Sequence, residues 1–140
     1  MQQLQIRSGK WAQLEQDAKL IREQVFIQEQ QIAPEDEWDA EDAVSLHFMV
    51  YDQAQPVATA RLLNSNSIGR VAVLKAYRGQ GIGKLLMEAV ISQARTERRE
   101  FLKLSSQVHA VPFYAGLGFA VHGEEYLDCG IPHIDMQMQF

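Results

Sequence analysis

The sequence has a single cysteine and no long apolar run, and both shortages narrow the class of protein. Cys129 is the only cysteine among 140 residues, so no disulfide can form within the chain, and we expect it to be a small buried residue. The longest apolar stretch, Ala110 to Val121, contains Pro112 and two glycines and is too short to span a bilayer. The polar N-terminus lacks the apolar core of a secretory signal. We therefore expect a cytoplasmic protein with no membrane partner.

Positive charge is also scarce, and it is unevenly placed. The formal net charge of -5 argues against a nucleic-acid partner held by phosphate contacts. Residues 23–60 hold nine acidic residues and no Lys or Arg, whereas residues 61–103 hold nine basic and three acidic ones. Such asymmetry fits either solvated surfaces or a protein that holds an anion on one side and attracts a cation to the other. The acidic run 35–42, EDEWDAED, is interpreted as a solvated loop.

Composition and periodicity predict one globular domain over residues 1–140. Apolar residues make up 46% and charged residues 22%, with no repeat or linker, and a chain of this length can bury a core of its own. Alternating or β-branched runs predict seven strands, in LQIRS, VSLHFMVYD, QPVATARLLN, IGRVAVL, EFLKLSSQ, FAVHGEEYL and HIDMQMQF. The order of elements predicts a mixed sheet covered by helices, with a strand-helix-strand crossover at its centre.

Three helices and one irregular segment complete the prediction. Helical spacing predicts a helix from about Lys10 to Val25 and the longest one from Gly81 to about Arg99. A short helix is expected in HAVPFYAGLG, with its proline in the first turn and Gly116 or Gly118 at its end. The segment VFIQEQQIAPEDEWDAED is predicted as a short helical piece or a loop beside the first helix.

The loop RGQGIGK, residues 78–84, joins a predicted strand to the longest helix. It fits neither the Walker pattern nor the dinucleotide pattern, because its glycine spacing differs from both. Successive glycines still let backbone N–H groups approach a ligand, and a helix start presents unpaired N–H donors with partial positive charge. Arg78 and Lys84 add two cations, so the loop is predicted to bind an anion such as a phosphate or pyrophosphate. The alternative is a glycine-rich turn that only connects strand to helix.

Two stretches resemble motifs of a known family. VAVLKAYRGQGIGKLL resembles motif A of the GNAT superfamily of acyl-CoA-dependent N-acyltransferases, whose signature Q/R-x-x-G-x-G/A is met by Arg78, Gly81 and Gly83. AVPFYAGLGF resembles the second motif of that family, through Tyr114 and its neighbours. The resemblance spans the whole chain and is strongest to a bacterial subgroup of small, mostly uncharacterised members. It implies an α/β (α+β) GNAT-like fold with a mixed, mostly antiparallel twisted sheet of about six to seven strands flanked by about four helices.

The resemblance also implies the chemistry. Acetyl-CoA would donate an acetyl group to a primary amine of a small molecule or a protein, by direct transfer in a ternary complex without a metal. Its pyrophosphate would sit on the glycine loop, its pantetheine arm would run along the RVAVL strand, and the N–H of Val73 or a neighbour would polarise the thioester carbonyl. The residues so assigned to the cofactor are Val71, Ala72, Val73, Arg78, Gly79, Gln80, Gly81, Ile82, Gly83, Lys84, Gln107 and Tyr114.

Catalytic roles follow from the same resemblance. Tyr114 matches the tyrosine that protonates the departing thiolate, and its alternative role is an aromatic whose hydroxyl caps a backbone group. Glu29 is the first candidate for the base that deprotonates the amine, and it is also a candidate substrate-binding residue. His47 and His133 come next as base or substrate-binding residues, although a histidine inside a strand is more often structural.

Several alternatives remain open on the sequence. The acidic run could attract a cationic acceptor, although the solvated loop is the preferred interpretation. The chain could hold acyl-CoA without turnover, or it could be a nucleotide-binding protein without CoA chemistry. The family resemblance also makes a homodimer an expected assembly, whereas no feature of the sequence names the acceptor.

Overall fold

The computed structural model describes residues 3–140, in which seven strands and four α-helices alternate in the predicted order. The strands are β1 Leu4–Lys10, β2 Leu46–Asp52, β3 Gln55–Leu62, β4 Ser67–Val73, β5 Phe101–Gln107, β6 Ala120–Asp128 and β7 Ile131–Gln139. The helices are α1 Trp11–Arg22, α2 Pro34–Glu37, α3 Ile82–Thr96 and α4 Val111–Leu117. Within residues 3–140 no helix is both long and apolar enough to cross a membrane.

All seven strands form one sheet, in the order β1-β2-β3-β4-β5-β7-β6. Every neighbouring pair is antiparallel except β4 and β5, which are parallel and connected through α3. This confirms the predicted mixed, mostly antiparallel sheet with a central crossover. The parallel pair needs such a crossover, because two parallel strands cannot be joined by a tight turn.

The two faces of the sheet carry two apolar clusters. On one face, alternate residues of β3 such as Ala58 and Ala60 pack with Leu86 and Val90 of α3. On the other face, the apolar stripe of α1 packs on Met49, Tyr51 and Ala72. Full burial of one aliphatic side chain stabilises a fold by about 1.5–3 kcal/mol, so these two clusters fix the helices against the sheet.

Strands β4 and β5 stay together for only two pairs of residues. Ser67 pairs with Lys103 and Ile68 with Leu104, and no later residue of β4 pairs with β5. A bulge at Arg70, where φ is +51°, bends β4 at the point of separation. A non-glycine residue with positive φ carries local strain of about 1–3 kcal/mol, which the surrounding structure must hold. The sheet therefore opens between these two strands.

Helical structure continues beyond Val25, the predicted end of the first helix, although the α-helix itself ends at Arg22. After Arg22 the chain continues as a π-helical segment, Glu23–Glu29, which ends with the N–H of Gln30 donating to the carbonyl of Val25 at 3.1 Å. Wide helical turns of this kind are rare and often mark functional sites. Apolar periodicity could not separate this segment from a loop, since its buried face is only Val25 and Phe26.

The prediction that residues 35–42 form a solvated loop is wrong for two of the acids in this run. Glu37 and Asp42 are 2% and 3% exposed. The Nε of Arg22 donates to Glu37 and its Nη1 to Asp42, both at 2.7 Å, and Arg61 donates to Asp42 at 2.9 Å. Buried carboxylates persist because buried guanidinium groups pair with them. These partners are distant in sequence, so the run looks unpaired until the chain folds.

The expectation that Cys129 is buried is also wrong. Its thiol is exposed, because Cys129 and Gly130 form the two-residue turn between β6 and β7. Their φ angles are +51° and +77°, as a tight hairpin turn requires. The turn projects from the end of the hairpin, away from both apolar clusters.

Candidate active site

A cleft of about 1530 Å³ opens where β4 and β5 separate. At one end it reaches the glycine loop and α4, and at the other it reaches α2 and the turn between β6 and β7. The separated strands form its middle, so groups bound at the two ends could meet between β4 and β5. A large cleft with a few convergent polar groups is the usual form of a binding site.

The glycine loop presents a row of backbone donors at one end of the cleft. Gly79 and Gly81 have φ angles of +77° and +80°, and no atom lies within 4 Å of where their Cβ atoms would be. Within residues 3–140, no acceptor is found for the N–H groups of Gly79, Gly81 and Gly83. The helical hydrogen bonds begin only at Leu85, which donates to the carbonyl of Gly81 at 3.1 Å. The loop therefore offers free donors at a helix N-terminus.

Gly83 has a packing role, unlike Gly79 and Gly81. A Cβ on Gly83 would lie 3.3 Å from the ring of Phe113, so its absence lets the start of α3 approach α4 closely. This contact places α4, which carries Tyr114, beside the glycine loop.

Val73, at the end of β4, turns its backbone N–H toward the cleft. The N–H of the next residue, Leu74, donates to Val57 on β3 at 2.9 Å. Val73 and Ala58 are therefore a non-hydrogen-bonded pair, and both polar groups of Val73 point away from β3. They point to the side from which β5 has already diverged, so this N–H remains available to a ligand. Ala72, by contrast, packs its side chain into the cluster under α1.

Arg78, at the edge of the cleft, makes three hydrogen bonds through its guanidinium group. Its Nε donates to the carbonyl of Val73 at 2.9 Å, and its Nη1 and Nη2 donate to the carboxylate of Glu29 at 2.6 and 2.8 Å. The hydrogen bonds from Arg78 lower the pKa of Glu29 below its ordinary value. Lys84, the second predicted cation, is exposed and lies 4.0 Å from Glu88. Of the two cations, only Arg78 is held in place by several hydrogen bonds.

Tyr114 lies on α4 and lines the cleft, with 8% of its surface exposed. Burial raises the pKa of Tyr114 to about 12. Burial is the only cause of this shift, and within residues 3–140 the hydroxyl has no hydrogen-bond partner, so the alternative of a backbone cap finds no support in its geometry. A phenol in this state stays protonated and can donate to a group in the cleft.

Comparison with known proteins decides the family. A family model described as an acetyltransferase (GNAT) domain matches residues 13–140. The chain belongs to the GNAT acetyltransferase family. It is 39% identical over 124 residues to the uncharacterized N-acetyltransferase YjcF of Bacillus subtilis, which covers 86% of this chain and 89% of that protein. The predicted family resemblance is confirmed.

Solved GNAT structures agree with the fold. An acyl-CoA N-acyltransferase from Pseudomonas aeruginosa matches with a TM-score of 0.86 and 34% identity, over 97% of this chain and 99% of that one. Escherichia coli ElaA matches with a TM-score of 0.88 and 27% identity, over 98% of this chain and 100% of that one. The chain thus shares the fold of these two structures over nearly its whole length.

His133 lies on β7, the strand next to β5 in the sheet. It is 9% exposed, lines the cleft, and stands opposite Gln107 in the β5–β7 ladder. Its Nδ1 lies 2.7 Å from the carbonyl of Ile131. A carbonyl can only accept, so Nδ1 carries the proton, and in the neutral ring Nε2 has a free lone pair. This histidine can therefore act as a base.

His47 lies outside the cleft. It is 1% exposed on β2, its Nε2 lies 2.9 Å from the carbonyl of Asp42, and its ring packs 4.7 Å from that of Trp11. Burial lowers the pKa of this imidazole. The geometry is that of a structural histidine beside the buried acids.

Gln107, one of the predicted cofactor residues, has a partner of its own: its side chain donates to Gln30 at 2.9 Å and so joins β5 to the end of the π-helical segment. Gln30 and a group around Tyr126 were not singled out from the sequence. The hydroxyl of Tyr126 contacts Ser105 and donates to Asp135 at 2.6 Å. Period-two alternation places Ser105 and Gln107 on one face of β5, but only the register with β7 shows what they face.

Proposed function

We propose that this protein is an acetyl-CoA-dependent N-acetyltransferase that acetylates a primary amine by direct transfer in a ternary complex. The carrying observation is that two sets of backbone donors border the gap between β4 and β5: the N–H groups of Gly79, Gly81 and Gly83, for which no acceptor is found within residues 3–140, and the N–H of Val73. Such donors suit an extended ligand with an anionic end and a thioester carbonyl. Membership of the GNAT family supports the same donor.

The diphosphate of the coenzyme would rest on the N–H groups of Gly79 to Lys84. Gly79, Gln80 and Gly81 form the turn, whereas Ile82, Gly83 and Lys84 contribute the first N–H groups of α3. The pantetheine arm would pair with the open edge of β4 at Val71 and Val73, much as an added strand pairs with a sheet edge. This arrangement uses most of the cofactor residues that the sequence predicted.

Bound acetyl-CoA would supply a thioester that an amine can attack, with CoA thiolate as the leaving group. Val73 N–H would donate to the carbonyl oxygen as negative charge develops on it. Loss of one such donor typically costs about 10²- to 10³-fold in rate. Tyr114 would donate its hydroxyl proton to the departing sulfur.

We assign the removal of the amine proton to His133 in preference to Glu29. The lone pair of His133 Nε2 borders the cleft, and imidazole is the side chain that most often serves as a general base. Glu29 is a poor proton acceptor while Arg78 holds it, because the pKa of its carboxyl is lowered. We infer that Glu29, first among the predicted bases, has a different role.

Two measurements test the proposal. Acetyl-CoA at about 100 times its dissociation constant should stabilise the fold by about 2.7 kcal/mol, and a primary amine from a panel should then release free thiol. His133→Gln should slow release by about 10²- to 10⁴-fold, whereas His122→Gln, on the exposed strand β6, should not.

Each negative outcome has its own meaning. Stabilisation without thiol release for any amine indicates a protein that binds acyl-CoA without turnover. Stabilisation by ATP or NAD, with no response to acetyl-CoA, contradicts the proposed function.

A further inference from the structure

Glu29 is paired with Arg78, a cation at the border of the proposed diphosphate site. Arg78 immediately precedes Gly79, yet its two Nη atoms are turned to the Glu29 carboxylate at 2.6 and 2.8 Å. A phosphate offers the same pair of acceptor oxygens to a guanidinium as a carboxylate does. The carboxylate therefore stands where a diphosphate oxygen would be expected to bind.

The same side chain also occupies the open edge of β4. Arg78 Nε donates to the carbonyl of Val73 at 2.9 Å, which is the acceptor that a pantetheine amide would use in strand-like pairing. One guanidinium thus covers two parts of the proposed cofactor site, and Glu29 anchors it there. A ligand that fills both parts must displace this side chain from at least one partner.

Glu29, the partner of Arg78, is connected through its neighbour to the part of the cleft that contains the proposed base, His133. Glu29 is the last residue of the π-helical segment, and the next residue, Gln30, accepts a hydrogen bond from Gln107. Gln107 stands opposite His133 in the β5–β7 ladder. A carboxylate released from Arg78 would therefore stand near the proposed base, where an incoming amine carries a positive charge.

We propose that Glu29 and the diphosphate of acetyl-CoA compete for Arg78, and that cofactor binding frees Glu29 to hold the ammonium group of the acceptor. The inference rests on the proposed function. It makes acetyl-CoA the first substrate to bind, because the acceptor site has its carboxylate available only afterwards. It also makes Glu29 a residue that selects charged amines, with His133 as the base.

A double-mutant cycle tests the competition without knowledge of the acceptor. The dissociation constant of acetyl-CoA is measured by calorimetry for the wild type, Glu29→Gln, Arg78→Gln and the double variant. Glu29→Gln should tighten binding about two- to fivefold, the range of an exposed ion pair, because Arg78 becomes free for the diphosphate. In the Arg78→Gln background the Glu29 substitution should have no effect.

Glu88→Gln is the matched control. It removes one negative charge near the glycine loop, next to Lys84, without a contact to Arg78. Equal tightening by Glu88→Gln, or tightening by Glu29→Gln that persists without Arg78, would show a general charge effect and overturn the inference. Unchanged or weaker binding by Glu29→Gln would overturn it as well. Failure of the wild type to bind acetyl-CoA overturns the proposed function itself, and this inference with it.

Steady-state kinetics supply a second readout once an amine is found. In Glu29→Gln the KM of the amine should rise while the dissociation constant of acetyl-CoA falls. A purely structural ion pair would weaken both when broken. Parallel changes in the two constants would therefore contradict the role given to Glu29.

Discussion

Replacing Tyr114 with phenylalanine should slow acetyl transfer without weakening the fold. The hydroxyl lines the cleft and has no partner in the described chain, so its removal breaks no internal hydrogen bond. A buried neutral hydrogen bond contributes about 1 kcal/mol, and none is lost here. If the hydroxyl protonates the thiolate, its loss should lower kcat by about 10²- to 10⁴-fold.

The assay combines thiol release at saturating acetyl-CoA with urea unfolding. Because burial raises the pKa of Tyr114 to about 12, the hydroxyl stays protonated across the working range, and the wild type should show no loss of activity from its ionisation below about pH 10. Tyr51→Phe is the control, because the Tyr51 hydroxyl donates to Asp17 at 2.6 Å, away from the cleft. This control should lose about 1.5 kcal/mol of stability and keep its activity.

Two results would refute the reasoning about Tyr114. A wild-type kcat in Tyr114→Phe would remove the hydroxyl from the mechanism. A loss of stability close to that of the Tyr51 variant would instead show that the hydroxyl has a structural partner.

Three further predictions concern stability and binding. Asp39→Asn should cost about 1–2 kcal/mol above pH 5, after discounting for its partial exposure. Hydrogen bonds from Arg61 lower the pKa of Asp39 to about 2, so the difference in unfolding free energy between wild type and variant should shrink as pH falls below 4. A difference that does not depend on pH would contradict the pairing of Asp39 with Arg61. Gly81→Ala should cost about 1–2 kcal/mol of stability, because Gly81 has a positive φ, and it should weaken the binding of acetyl-CoA. Gly116→Ala should instead stabilise the fold by about 0.4–1 kcal/mol. Equal shifts in melting temperature for the two variants would contradict the difference in backbone conformation. Arg22→Ala should cost about 3 kcal/mol, because it breaks two buried ion pairs and leaves Glu37 with Arg70 and Asp42 with Arg61 as the remaining partners. A loss below 1 kcal/mol in urea melts would show that these remaining partners are sufficient.

Local signals in the sequence were sufficient for the sheet and for the glycine loop. Strand alternation and glycine positions are set by neighbours in sequence, so the order of elements and the strand-loop-helix around Gly81 were predicted before the fold was known. Of the two glycines predicted to end α4, Gly116 and Gly118, the structure has Gly118 in that place, with φ of +110°. Helix ends were less certain: α3 stops at Thr96, three residues before the predicted boundary.

Contacts between residues far apart in the chain could not be predicted from the sequence. Glu29 and Arg78 are 49 residues apart, and nothing local indicates that they meet. On the sequence alone, the place of Glu29 after the first helix favours it as the base, whereas a histidine inside a strand, such as His133, is more often structural. The register of β7 against β5, together with the bond of its Nδ1, reverses that order in our proposal.

We propose that acetyl-CoA lies in the gap between β4 and β5, held by the N–H groups of the glycine loop and of Val73. A crystal structure of the complex with the coenzyme would show these contacts. Diphosphate oxygens should lie within hydrogen-bond distance of the N–H groups of the loop, with the pantetheine arm beside Val73. A coenzyme bound elsewhere, with this gap empty, would contradict the claim.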